Sequence, residues 1–411
     1  MSCARSILVL NCGSASVKFA VYPELAADHR QSGGGSPSLS TTLYGQISGL
    51  GGLARLTWRS GGSDWTERTL HEVHSHAEAL GVVLDLVGER LGEGAIAIVG
   101  HRIVHGGGHY ERPVLIDQNV LGRLDQQVPL APLHQPHNLA GVRAVTLRAP
   151  EVPQLACFDT AFHAGQPDLH TCFALPAVMR ERGVRRYGFH GLSYQSIADR
   201  LPLDAPQQAD GRVIVAHLGS GASVCGLLQR RSVRTSMGMT ALDGLVMGTR
   251  PGSIDIGVAL YAIDTLGMDT KALSHVLYDQ SGLLGLSGLS ADMKTLLASA
   301  DPRAVFAVEV FCERAAQEIS ATAVALGGCD LLVFTAGIGE NCPSVRARIA
   351  ARLRWMGLEL DHSANERGAG RISTPGCGLA AQVMATDEQA VIASACRESL
   401  LAMRTSRLAS S

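Results

Sequence analysis

LVLNCGSASV (8–17) and IVAHLGSGASV (214–224) decide how this chain is read. Each is an apolar run, two further residues, Gly-Ser, a small-residue turn, and then Ser-Val. One inserted residue aligns them. An apolar run, a Gly/Ser turn and a second apolar run read as strand, turn, strand. Two readings stay open. One is a duplication giving two similar halves, each presenting its turn to a shared cleft. The other is a pair of unrelated hairpins, because strand-Gly-Ser-strand arises easily.

Outward from these hairpins the pattern alternates. Strands are expected at 7–10, 17–22, 41–47, 95–99, 154–158, 213–216 and 331–334. The run at 95–99 ends in Gly100-His101-Arg102, the run at 154–158 enters Asp159, and the run at 213–216 enters His217. Helical spacing marks 138–147. The clearest helix is 304–326, with Val305, Val308, Phe311, Ala315, Ile319 and Leu326 on one face, stopped by Gly327-Gly328. After 331–334 comes a loop, TAGIGEN (335–341), and Pro343 suits the first position of a further helix. The low-complexity stretch QSGGGSPSLS (31–40) reads as a flexible surface loop. Strands alternating with helices indicate the α/β class.

Bulk properties narrow the function. At 411 residues two domains are expected, domains typically running to ~100–200 residues. A net charge of −2 gives no basic excess for nucleic acid and no acidic tail for a charged partner. The ten cysteines contain no C-x-x-C pair, so neither a zinc site nor a disulfide framework is indicated, and free thiols fit a reducing cytoplasm. Residues 1–16 lack the apolar stretch of a secretory signal, and no uncharged run reaches the ~18 residues of a membrane span.

A Gly/Ser turn exposes successive backbone N–H groups, a concavity that holds phosphate oxygens. Ser14 and Ser16 add hydroxyl donors and Lys18 a nearby charge. A single such turn is usually an ordinary hairpin. Two paired turns together with TAGIGEN favour a nucleotide. The P-loop, Rossmann and protein-kinase signatures are all missing from the sequence.

Ten stretches then occur in one order: VLNCGSASVK (9–18), GHRIVHGG (100–107), PLAPLHQPHN (129–138), FDTAFH (158–163), YGFHGLS (187–193), HLGSGAS (217–223), TSMGMTALDGLVMGTRPGSID (235–255), SGLLGLSGLSADMK (281–294), VFTAGIGEN (333–341) and ATDEQAVIA (385–393). As an ordered set the chain resembles the acetate kinase family. The resemblance implies the two-domain, actin-like ATPase (ribonuclease H-like) α/β fold, with a duplicated core and nucleotide in the interdomain cleft. An N-terminal domain would span 1–155, completed by a C-terminal helix at 390–411, and a second domain 156–389. It also implies ATP/ADP as co-substrate, acetate as acceptor, Mg²⁺ (with Mn²⁺ as a substitute) and a homodimer.

By the same resemblance Ser14, Ser16 and Lys18 lie at the phosphates, with Asn11 and Glu388 at the metal. His217, Leu218, Gly219, Ser220 and Gly221 form the second phosphate turn. Asp292, Met293 and Lys294 contact the nucleotide, as do Gly337, Ile338, Gly339, Glu340 and Asn341. Arg102 and Arg250 hold the acceptor carboxylate and the transferring phosphoryl group, flanked by Asp159 and His190. Val104, Leu133, Phe189 and Ala241 line the methyl pocket. The chain departs from the commonest family pattern at Ala15, Ser220, Lys294, Ala241 and Asp387. These departures bear on nucleotide affinity and acceptor size and leave the reaction class intact.

Each residue also has an ordinary reading. A buried arginine needs an anionic partner, and a neighbouring carboxylate is the usual one. Arg102 sits between a strand end and a Gly-Gly turn, where α/β folds place ligands. Arg250 stands in a Gly/Thr/Pro loop suited to a bidentate grip. His190 is a hydrogen-bonder or a donor to a phosphoryl oxygen. His101, His105, His134, His137 and His163 read as structural, since they form no metal-binding helix motif. Asp159 reads as a cap or turn residue, or as an electrostatic or metal-linked group. Acetate is already ionised at neutral pH, so no general base is needed. Rival readings are a propionate or butyrate kinase, a sugar kinase of the same fold, and a non-catalytic actin-fold switch.

Overall fold

The computed structural model describes residues 5–13, 15–24, 41–92, 94–368 and 370–409. Ser14 and the stretch 31–40 lie outside them. The chain divides into two compact units, 1–161 with 387–411, and 162–386.

The first unit is built on a sheet ordered β5-β4-β3-β2-β1-β6-β8-β7. Its strands are β1 (Ser6–Cys12), β2 (Ser16–Pro23), β3 (Leu43–Ser48), β4 (Ala54–Ser60), β5 (Thr66–Leu70), β6 (Ile96–Ile103), β7 (Val114–Leu115) and β8 (Gln154–Phe158). β1 runs antiparallel to β2 and parallel to β6, which runs parallel to β8. Helices His76–Leu91 and Gln135–Arg148 pack on this sheet, and helix Glu388–Ala409 packs on β1 and β6. Leu8, Leu10, Val17 and Phe19 meet Leu80, Val83 and Val145 in the core. Gly100 lets the last helix approach β6: a Cβ there would stand 2.7 Å from Cys396 Sγ. The expected boundary at 155/156 falls inside β8. The parallel pairing of that strand with β6 keeps it whole within this unit.

The second unit has a sheet ordered β11-β10-β9-β12-β14-β13. These are β9 (Arg212–Leu218), β10 (Ala222–Leu228), β11 (Arg231–Thr235), β12 (Leu331–Thr335), β13 (Gly370–Arg371) and β14 (Ala380–Val383). β9 is antiparallel to β10 and parallel to β12, which is parallel to β14. Five strands therefore share order and direction with the first sheet: β11-β10-β9-β12-β14 repeats β3-β2-β1-β6-β8. The repeated core favours the duplication reading of the two opening segments. β9 and β12 are paired on both edges and buried, which explains their unbroken apolar runs.

The hairpin registers correct the sequence alignment. Cys12 pairs with Val17, leaving four residues between them, whereas Leu218 pairs with Ala222, leaving three. The first turn is the longer one. By position across the ladder, Lys18 (opposite Asn11) corresponds to Ser223 (opposite His217). The shared Ser-Val had suggested Ser16 instead.

Helix Pro302–Leu326 begins where Asp301 caps the Arg303 N–H at 2.8 Å and ends at Gly327, φ 71°. Val305 is 49 % exposed, and Ala304 takes its place on the buried face with Val308, Phe311, Ala315 and Ile319. That set holds closer to a 3.6-residue period. TAGIGEN is also not a loop: Ala336–Asn341 is a short helix entered through Ala336 at φ 65°.

Candidate active site

In the first unit the parallel register places Arg102 beside Cys157 and brings Asp159 just beyond the end of β8. Arg102 donates to Asp159 from Nε (2.9 Å) and Nη2 (2.7 Å), a two-point grip. Its Nη1 stands 3.5 Å from Glu388 Oε2. Asp159 is almost fully buried and its N–H donates to Ile103 O. Burial alone would lower the guanidinium pKa. Asp159 and then Glu388 outweigh it and raise the pKa well above its ordinary value. The neighbouring-carboxylate reading of Arg102 therefore holds, and it does not exhaust the residue. A guanidinium has five N–H donors; Asp159 takes two, and Glu388 faces Nη1. Asp159 fixes the plane of that fork.

The first Gly/Ser turn is held by its carbonyls. Asn138 Nδ2 donates to Cys12 O at 2.7 Å, and His76 Nε2 lies 2.6 Å from Gly13 O. His76 is the first residue of its helix, set there by a capping box in which Ser75 and Glu78 satisfy each other's N–H groups. Its ring stacks on His137, centroids 4.6 Å apart. Asn138 Oδ1 also accepts from Val104 N (3.0 Å), and buried Gln135 brackets His105 through its N–H and its carbonyl. Asn138, Gln135 and His76 were not singled out from the sequence. Asn138 and Gln135 lie in a quoted stretch, PLAPLHQPHN, and polar residues in the first turn of an apolar helix were the available signal. Val104 is buried and Leu133 half-buried in the turn before that helix. Asn11, on β1, and Lys18, exposed on β2, face one another across the ladder.

In the second unit His190 carries the clearest backbone anomaly. It adopts φ 58°, ψ 22° as N-cap of helix Gly191–Asp204, a left-handed conformation uncommon outside glycine. The preceding Gly188 (φ 76°) crosses so close to His163 that a Cβ would lie 2.7 Å from its ring. His163 Nε2 lies 3.0 Å from Phe189 O. The His190 ring stacks on His217, centroids 4.2 Å apart. His190 Nδ1 lies 2.9 Å from Ser223 Oγ, and His217 Nδ1 lies 2.8 Å from Ser193 Oγ.

Gly221 is where these groups meet. A Cβ on it would stand 2.9 Å from Arg250 Nη2 and 3.1 Å from His190 Nε2. Arg250 and His190 therefore converge on the turn, and only glycine leaves room for both. Arg250 is anchored by Nη1 to Ala241 O at 2.6 Å. Burial lowers its pKa to about 10, against the opposing pull of Tyr278, and it stays charged at neutral pH. Its loop is braced by Gly282, whose Cβ would meet Arg250 O at 2.7 Å.

Beside this turn lies a cavity of about 750 Å³ bordered by Gly219, Ser220, Met293, Lys294, Ile338 and Asn341. Asp292 and Gly337 border it too, so the structure gathers most of the expected nucleotide residues in one place. Leu297, Cys342, Pro343 and Ser344 also line it and were not expected there. Leu218 is buried in β9, and Gly339 is buried against the Phe334 backbone. Glu340 turns away: its carboxylate accepts from Ala336 N (2.9 Å) and Thr386 N (3.3 Å), closing the start of its own helix. Asp292 spends its carboxylate on Thr295 N and Oγ1, which lowers its pKa.

Arg346 went unnoticed in the sequence. Fully buried, it donates to Gly339 O (2.9 Å), Glu340 O (2.8 Å) and Asn365 Oδ1 (2.8 Å), and so pins the short helix that borders the cavity. A cation at a helix C-terminus is favoured by the helix dipole.

The remaining histidines behave structurally. His101 is buried against Gln154 Oε1 (2.8 Å), and burial lowers its pKa to about 4. His105 Nδ1 accepts from Gly107 N at 2.8 Å. Among the described residues no group of three or more His, Cys, Asp or Glu could by itself hold a metal ion.

The folded chain is thus an α/β protein with a repeated core and a Gly/Ser turn in each unit. Residues 6–394 match the model of the acetokinase family. The chain is 47 % identical to the acetate kinase of Rhodopseudomonas palustris over 393 residues, 94 % of this chain and 96 % of that one. It is 46 % identical to that of Rhizobium meliloti over 397 residues, 94 % and 96 % of the two chains. Among solved structures it superposes on a propionate kinase from Francisella tularensis with a TM-score of 0.87 at 34 % identity, covering 95 % and 98 % of the two chains. The acetate kinase of Porphyromonas gingivalis gives 0.83 at 33 %, covering 97 % and 100 %. The chain belongs to the acetokinase family.

Proposed function

We propose that this chain catalyses reversible transfer of the γ-phosphoryl group of ATP to acetate, giving acetyl phosphate and ADP. The observation that carries the reading is the convergence of Arg250 Nη2 and His190 Nε2 on Gly221, beside the cavity that holds the nucleotide residues.

A carboxylate oxygen of acetate attacks the γ-phosphorus as the bond to the β,γ-bridging oxygen breaks, in one in-line step. The leaving electron pair stays on ADP. No proton has to be removed, because the acceptor is already an anion at neutral pH. Catalysis therefore rests on bringing two anions together and on charge stabilisation. Arg250 and His190 donate to the equatorial phosphoryl oxygens. The Arg102 guanidinium, its plane set by Asp159, takes the acceptor carboxylate. This reading assigns Val104 and Leu133 of the first unit, and Phe189 and Ala241 of the second, to its methyl group.

Glu388 and Asn11 supply oxygen donors of the kind Mg²⁺ takes. A magnesium held by one or two protein oxygens, waters and substrate phosphates needs no protein cage, which agrees with the donor set here. When bound it neutralises β- and γ-phosphate charge, and Mn²⁺ has the same preference for oxygen. Two further features belong to this reading. Helix Ile256–Asp264 exposes Ile256, Val258, Leu260 and Tyr261, a broad apolar face suited to a second copy of the chain. The described cysteines are all free thiols, as a cytoplasmic location favours.

A propionate kinase is the second reading, favoured by the Francisella neighbour and by Ala241, a small residue at the methyl pocket. The test is incubation with ATP, Mg²⁺ and acetate, trapping acyl phosphate with hydroxylamine. Acetohydroxamate should accumulate in step with ADP. ADP release without hydroxamate would overturn the reading.

A further inference from the structure

We propose that Ser223 and Tyr194 are positioning residues that hold neutral His190 as its Nε2–H tautomer, so that it meets the phosphoryl group as a hydrogen-bond donor. The inference rests on the reading that His190 faces the transferring group.

Ser223 and Tyr194 are both fully buried. Ser223 Oγ sits between two partners, His190 Nδ1 at 2.9 Å and the hydroxyl of Tyr194 at short range. A serine hydroxyl has one hydrogen and two lone pairs. A phenol is the stronger acid of the two hydroxyls and donates in preference. Tyr194 O–H therefore points to Ser223, and Ser223 must give its own hydrogen to the remaining partner, Nδ1 of His190. A histidine that accepts at Nδ1 carries its proton on Nε2. That is the nitrogen that points at Gly221, where Arg250 Nη2 also arrives.

The surroundings agree. The tyrosine is held on three sides, against Phe162, His163 and His217. Burial raises its pKa well above the usual value, so it remains a donor. The titratable and charged groups beside His190 are Arg250, stacked His217, Tyr194 and, behind Phe189, His163. The Arg250 charge disfavours a second cation beside it. In the opposite tautomer an Nε2 lone pair would face anionic oxygens. The register of the second hairpin makes the device available, because it puts Ser223 directly across from His217 on the face that receives both rings.

The test is ¹⁵N NMR of the full chain labelled at histidine, with His190 assigned by the loss of its signals in His190→Gln. In the wild type His190 should be protonated at Nε2 and bare at Nδ1. In Ser223→Ala and in Tyr194→Phe the tautomers should mix. His190 should titrate at higher pH, because a bond that favours the neutral ring is weakened. Turnover should fall about five- to tenfold, the size of one neutral hydrogen bond, with KM for ATP nearly unchanged. A merely structural role moves stability but not the tautomer or the titration. A wild-type proton on Nδ1 overturns the proposal, as does an unaltered tautomer in both variants. If His190→Gln keeps wild-type turnover, the underlying reading of His190 falls and the proposal falls with it.

Discussion

The two opening hairpins share strand order and direction, yet different side chains surround their turns. The first is tied from outside by its carbonyls, with Asn138 on Cys12 and His76 on Gly13, and it carries an exposed cation, Lys18, across from Asn11. Both turns close on themselves, Gly13 N to Ser16 O at 2.8 Å and Gly219 N to Gly221 O at 3.1 Å, and Gly248 N holds Ser220 O at 3.0 Å; the second is in addition surrounded by side chains that are already fixed, two stacked histidines and Arg250. One residue of turn length separates them. That residue changes which side chain stands opposite the polar end of the first strand, a lysine in one unit and a serine in the other. On the proposed function the first turn meets phosphate with backbone N–H groups and an exposed lysine, and the second with donors already fixed beside it. The second is the better placed to stabilise a transition state.

The largest expected effect follows from that difference. Arg250→Ala should lower kcat by ~10³-fold or more while ATP affinity changes little, because an arginine on the transferring phosphoryl group acts chiefly in the transition state. Lys18→Ala should mainly weaken ATP binding. If the two variants show the same pattern of kcat and KM, the functional contrast between the turns is wrong. Arg102→Ala should approach Arg250→Ala in kcat. Asp159→Asn, which keeps the shape and weakens the clamp, should cost less than Arg102→Ala. Equal losses would make Asp159 a participant in transfer.

A second effect concerns the metal. Glu388→Ala should raise the Mg²⁺ concentration needed for half-maximal activity by about tenfold, with kcat at saturating Mg²⁺ largely restored. An unchanged Mg²⁺ titration would return Glu388 to its bland role as the first acidic residue of a helix, facing the Arg102 guanidinium.

Much of this was legible before the structure. The strand ends that carry Arg102, Asp159 and His217 could be read from apolar runs, because β6, β8 and β9 lie inside their sheets and admit little else. The bidentate bond between Arg102 and Asp159 could not. It joins residues 57 apart and depends on the parallel register of β6 with β8. Hairpin register was hidden for a related reason. Ser-Val recurs in both segments, and the ladder, not the letters, decides which residue faces which. Arg346 escaped because nothing local to its helix marks an arginine that bonds to carbonyls rather than to a carboxylate. The TAGIGEN helix escaped because two glycines in six residues argue against a helix, and Arg346 and Glu340 together stabilise its two ends.

A smaller effect sharpens the view of the first turn. His76→Phe keeps a ring to stack on His137 and removes the bond to Gly13 O. It should raise KM for ATP by about fivefold, one hydrogen bond's worth, with kcat less affected. An unaltered KM would show that Asn138 alone positions the turn.

The smallest effect tests the acceptor pocket. Val104 is buried, with its N–H fixed by Asn138, so its side chain cannot easily withdraw from a longer acyl chain. Acetate should be the best acceptor, propionate clearly poorer and butyrate marginal. Val104→Ala should narrow the acetate-to-propionate ratio of kcat/KM by about 1 kcal/mol, chiefly through KM. An unchanged ratio would remove Val104 from the pocket.

The central claim is that one phosphorus moves once, directly from ATP to the carboxylate, with Arg250 and His190 as donors and no residue bonded to it. The most direct measurement is the stereochemical course at the γ-phosphorus, using ATP made chiral there with oxygen isotopes and recovering the acyl phosphate. Direct in-line transfer predicts inversion. Retention would mean two displacements through a phosphorylated residue, with His190 the first to examine, and would contradict the mechanism.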